Sequence, residues 1–87
     1  MTIKKYQFNN YAYGTFCSEF RENIVEKREF DKGFYNYSIF NINNTTVTLM
    51  KMGTNSKKVL TIGLNEKEID KTIKLIKSKG FQLEEII

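Results

Sequence analysis

Four carboxylates, Glu19, Glu22, Glu26 and Glu29, follow one another at spacings of three, four and three. On a helix such spacings gather them on one face, because residues three and four apart are neighbours there. Like charges at i,i+4, such as Glu22 and Glu26, cost a helix roughly 0.2–0.5 kcal/mol. A face that accepts this cost is a candidate docking surface for a basic protein partner. The competing account is a solvated face relieved by Arg21, Lys27 and Arg28. Nothing in the pattern marks a cleft or a raised pKa, so no catalytic carboxylate pair is expected.

A second set is basic. Lys67, Lys71 and Lys74 share the outer face of a helix near the end of the chain. Lys57 and Lys58 lie in the strand before it, and Lys51 in the strand before that. No acid occurs between Lys51 and Gly63. Lysines so placed can track phosphates, which supports a nucleic-acid-binding module as the alternative function. The same helix has Glu66, Glu68 and Asp70 in its first turns and Lys74, Lys77 and Lys79 in its last. That polarity also complements the helix dipole without any ligand.

Eleven of the twelve Phe and Tyr residues fall within the first forty positions. In a chain without Trp, most are expected to build the core. The tyrosines are the expected exposed members, and Tyr is a frequent interface anchor. Tyr35 and Tyr37 therefore join the candidate protein-binding set. Stacking of unpaired bases is the other use such rings could serve.

Several chemistries are excluded outright. The chain has no histidine, so Ser-His-Asp triads, Cys-His dyads and His-ligated metals cannot form. A single cysteine allows no internal disulfide and no thiolate cluster. Cys17 lies on an apolar stripe and reads as a small core residue. No glycine-rich phosphate loop is present, since Gly53 and Gly63 are too far apart. No enzymatic activity, metal or cofactor is expected.

The elements that must position these groups are legible in outline. Residues 3–8 alternate as a short strand. Thr15 offers an N-cap, and Phe16, Phe20 and Ile24 recur every fourth residue, predicting an amphipathic helix over roughly 15–28. A tight hairpin about Asn9-Asn10, joining residues 6–8 to 11–13, competes with the start of this reading. Residues 34–42, 45–52 and 57–62 form a three-stranded meander, with turns at Asn43-Asn44 and at residues 53–56. Asn65 with Glu68 gives a capping-box-like start to a second helix striped by Ile69, Ile73 and Ile76. Lys79-Gly80 stops it, and residues 81–86 read as a last strand. The expectation is one α+β domain over residues 1–87. Its order is β-α-β-β-β-α-β, an antiparallel sheet with two amphipathic helices packed mainly on one face.

The chain has 87 residues, a net charge of +4, 40% hydrophobic and 28% charged residues. That is a globular composition, mildly basic. No stretch approaches the ~18 apolar residues of a membrane span. Met1 to Tyr6 carries no apolar run behind its lysines, unlike a signal peptide. The cytoplasm is the expected compartment and no membrane partner is expected. A self-dimer is compatible with the small size and with the segment 34–42, which is apolar on both faces.

Over roughly 15–79, the order helix, three strands, helix resembles the double-stranded-RNA-binding domain in topology. That family's loop histidine and Lys-Lys-x-Ala-Lys cluster are replaced here by Asn43-Asn44 and Asn65-Glu66-Lys67-Glu68, so no binding residue carries over. The terminal strand-helix-strand units resemble ferredoxin-like domains such as the RNA-recognition motif, without an aromatic RNP sequence. In size and lack of chemistry the chain is similar in type to small inhibitors carried by phages and mobile elements, anti-CRISPR proteins among them. The leading expectation is a non-enzymatic protein-binding module that occludes a partner's surface.

Overall fold

Two consecutive asparagines fold the centre of the chain. Asn43 and Asn44 both take positive φ, 52° and 59°, the conformation that a two-residue hairpin turn demands and that Asn tolerates. They join strand β3 (Tyr35–Ile42) to β4 (Thr45–Met52), with Ile42 opposite Thr45. The computed structural model describes residues 1–8, 13–30, 32, 35–52 and 56–86, excepting the side chains of Met52 and residues 56–60. Around the hairpin lie β1 (Thr2–Phe8), α1 (Tyr13–Glu19), a 3-10 turn (Arg21–Asn23), β2 (Ile24–Phe30), β5 (Ser56–Gly63), α2 (Glu66–Ser78) and β6 (Leu83–Glu85). The strands form one antiparallel six-stranded sheet in the order β2-β3-β4-β5-β1-β6.

Alternation along the strands sets the core. Tyr6 and Phe8 of β1, Phe40 and Ile42 of β3, and Val47 and Leu49 of β4 are buried on one side of the sheet. Phe16 and Cys17 of α1, Ile69, Ile73 and Ile76 of α2, and Phe81 pack against them in one cluster. Phe16 is its hub, with ring centroids 4.7 Å from Phe20 and 5.1 Å from both Phe40 and Phe81. Both helices therefore cover the same face, and no described element crosses the other.

Helix α2 starts where its cap predicts. The Asn65 side chain accepts a hydrogen bond from the Glu68 amide at 3.0 Å, and the Glu68 carboxylate accepts one from the Leu64 amide at 2.9 Å. The first satisfies an amide that the first turn leaves without a helical partner, and the second holds the residue before the cap. Gly80 follows the helix at φ 97°, the left-handed position for which glycine is suited.

The α+β class, the single antiparallel sheet and the two helices are as the sequence predicts. One segment differs. The expected helix over 15–28 ends at Glu19, turns through Arg21–Asn23, and continues as β2. The Phe20 carbonyl accepts from the Asn23 amide at 2.9 Å, closing the turn. Ile24 still packs on the core, so the four-residue spacing reports its burial correctly while misreading its backbone. Pairing with β3 and the β-branched pair Ile24-Val25 override the helical preference of Glu26 to Glu29. The alternative Asn9-Asn10 hairpin lies outside the described residues, apart from Tyr13, which opens α1.

Candidate functional site

Three of the eight large exposed hydrophobics among the described residues, Phe30, Tyr35 and Met50, share the face of the sheet opposite the described helices. Partners in an antiparallel pair project to the same side. Glu26 pairs with Ile39, Arg28 with Tyr37 and Phe30 with Tyr35. On the next strand Ile39 pairs with Thr48 and Tyr37 with Met50. These residues alternate with buried Ser38, Phe40, Val47 and Leu49, so they occupy the face opposite the helices. Phe30, Tyr35 and Met50 retain 48%, 42% and 41% of their surface. The Phe30 and Tyr37 rings stack across the strands with centroids 5.7 Å apart and planes at 25°. Beside them Arg28 Nε and Glu26 Oε1 form an ion pair, which holds the guanidinium further above its ordinary pKa. The patch is thus aromatic at β2 and β3, thioether at β4, and charged at its rim.

The four-carboxylate helix face does not form. Glu19 lies at the end of α1, 3.4 Å from the Lys79 ammonium. Glu22 is exposed on the 3-10 turn. Glu26 and Glu29 are on β2, and they project to opposite sides, since Glu26 pairs with Ile39 and Glu29 with Asn36. The cause is the early end of α1. Tyr35 and Tyr37 do fall together, on the open face with Glu26.

Lys67, Lys71 and Lys74 are exposed along α2 without an ion-pair partner among the described residues. Lys51 stands apart from them. Thr72, midway along α2, donates its hydroxyl to the Ile42 carbonyl at 3.4 Å, and Ile42 is opposite Thr45. Lys51 is six residues further along β4, about 20 Å at 3.3 Å per residue. Lys57 and Lys58 lie opposite Lys51 and Met50; their side chains are outside the described residues.

Phe30, Arg28 and Met50 were not singled out by sequence reasoning. Their only sequence signal is the alternation of Glu26, Arg28 and Phe30, which becomes informative once 24–30 is a strand. A polar cluster also forms under α1. The Tyr13 hydroxyl is 3.0 Å and the Cys17 sulfur 3.7 Å from the buried Ser38 hydroxyl. It borders a cavity of about 250 Å³ that Lys27 and Glu29 also line. Burial pushes the Tyr13 phenol up, against the Ser38 hydrogen bond. The hydroxyl therefore stays protonated and serves as a tie between α1 and β3.

Among the described residues no group of three or more acidic or cysteine side chains is placed to hold a metal. No helix among them is long and apolar enough to cross a membrane. No family model, curated protein or solved structure was found to match the chain.

Proposed function

We propose that the chain is a small non-enzymatic protein-binding module that acts by laying its open sheet face on a partner and occluding that partner's surface. The observation that carries this reading is the gathering of exposed Phe30, Tyr35 and Met50 on one face, around the Phe30–Tyr37 stack. Aromatic residues, Met and Arg are the types enriched in protein interfaces, and a rimmed apolar patch on a sheet marks an interaction site. An inhibitor of the phage or mobile-element type, acting in the cytoplasm, fits the size and the lack of chemistry. Immobilised wild-type protein, Phe30→Asp and Met50→Asp test the reading against a cell lysate. A protein retained by the wild type and lost by both folded variants supports it. Identical retention by all three overturns it.

A second reading is supported by the stripe of Lys67, Lys71 and Lys74, which has no ion-pair partner among the described residues. As a nucleic-acid-binding module, the chain would bind labelled RNA or DNA with affinity falling by orders of magnitude between about 50 and 200 mM salt. Anisotropy that shows no binding at the lower salt removes this reading.

A further inference from the structure

One row of paired residues crosses the open face and carries opposite charges at its two ends. Glu26 pairs with Ile39, Ile39 with Thr48, Thr48 with Leu60, and Leu60 with Lys5. These positions belong, in spatial order, to β2, β3, β4, β5 and β1. Thr48 is therefore central, with Glu26 two strands to one side and Lys5 two strands to the other. Lys5 is exposed and has no ion-pair partner among the described residues. Glu26 is half-exposed and meets Arg28 through one of its two carboxylate oxygens.

We infer that this face binds a second copy of the chain, in a two-fold dimer whose axis lies in the interface, about 15° from the direction of β4 and over Thr48. The inference rests on the reading of the open face as a docking surface, and it adds regulation to that reading: a second copy and the partner compete for one face. A half-turn about this axis lays β1 of each copy over β2 of the other. Each Lys5 then faces the other copy's Glu26, and the dimer contains this contact twice. The alternative two-fold, with its axis across the strands, lays β2 over β2 and β1 over β1. It opposes Glu26 to Glu26 and Lys5 to Lys5, so charge selects the first arrangement.

The dimensions suit the pairing. Stacked sheets with aligned strands lie about 10 Å apart and cross at about 30°. A strand two places from the axis is about 10 Å out, so the crossing displaces the row ends by about 5 Å. Lys and Glu side chains span that offset. Five strands at about 4.8 Å and eight residues at about 3.3 Å give a face on the order of 600 Å² per copy. A standard protein interface buries about 800 Å² per partner. Tyr37, Ile39 and Met50 supply apolar surface near its centre, and Ile3 at its β1 end.

Sedimentation equilibrium of the full chain from about 1 μM to 1 mM, a range that spans weak association, tests the inference. The wild type is expected at the two-copy mass in the upper range. Lys5→Glu and Glu26→Lys each place like charges at both contacts, and each is expected to weaken association about tenfold or more. The double variant Lys5→Glu/Glu26→Lys restores the pairing. So does an equimolar mixture of the two single variants, which re-forms both contacts in a mixed dimer. Circular dichroism confirms that each variant is folded. A one-copy mass throughout overturns the second copy and leaves the docking reading to the Phe30→Asp and Met50→Asp capture. A dimer indifferent to both single substitutions also overturns it, because the interface then lies elsewhere.

Discussion

The side-chain hydroxyls of Tyr13 and Ser38 lie 3.0 Å apart and tie the first helix to the middle of β3. Burial pushes Tyr13 above its ordinary pKa of 10.0, with the Ser38 hydrogen bond opposing, and burial does the same to Tyr6. In the unfolded chain both phenols ionise near 10. From there up to the folded values the unfolded chain has lost protons that the folded chain keeps, so stability falls as the pH rises. Lys4 acts in the same direction. Its hydrogen bond to Glu66, helped by Asp70, raises it above 10.5, and that contribution is complete below 10.5 and lost above it. The urea midpoint is expected to hold steady up to about pH 9 and to drop beyond about pH 10. Tyr13→Phe should shallow that drop. A midpoint that stays level throughout contradicts the argument.

Gly63 lets α2 close on the sheet. A Cβ there would stand 2.9 Å from Ile69 Cγ1, and Ile69 is fully buried. Gly63→Ala is expected to cost about 1–3 kcal/mol, the range for overpacking a core. Combining it with Ile69→Ala, which removes the clashing Cγ1, should cost less than the sum of the two single losses. Denaturant titration of the three variants reads the coupling directly.

Asn65 caps α2 through Glu68. Asn65→Ala should cost about 1 kcal/mol of stability, and Asn65→Asp should restore most of it. Thermal melting that ranks alanine level with asparagine would show the cap to be idle.

Glu22 and Glu26 separate the corrected geometry from a helical acidic face. Glu26→Lys alters the open face, so it is expected to weaken partner capture. Glu22→Lys changes an exposed residue of the 3-10 turn, which takes no part in the strand pairs of that face, and should leave capture intact. Equal losses from both would restore an acidic surface spanning the turn.

Local signals agree where the sequence was most legible. At α2 the cap, the Ile69-Ile73-Ile76 stripe and Gly80 all name the same element. At Asn43-Asn44 a turn-prone pair sits between two β-rich runs. Residues 15–30 are different, because their periodicity and composition favour a helix while strand pairing with β3 decides the backbone. Ile24 satisfies both patterns, and nothing local separates them. The site was correspondingly half-legible. Tyr35 and Tyr37 could be named from residue type alone. Phe30, Arg28 and Met50 join them only through the register of β2, β3 and β4, which is a property of the assembled sheet.

Strand β2 has an edge that pairs with nothing described, yet it is poorly suited to recruit another strand. It carries four consecutive charged residues, Glu26 to Glu29, and its register breaks between Ile24 and Glu26. Charges and bulges are common means of blunting an edge.

The place of β1 in the sheet bears on how the chain assembles. It lies between β5 and β6, and Tyr6 is opposite Val59, a partner about 50 residues away; such distant pairings close late, after local hairpins. Strands β2 to β5 are each adjacent to the next in sequence and can zip up by short steps. During synthesis β1 emerges before β5, so Tyr6 and Phe8 wait for that partner strand. The docking of β1 beside β5 is then the expected slow step of folding, and the interval before it the one most exposed to aggregation.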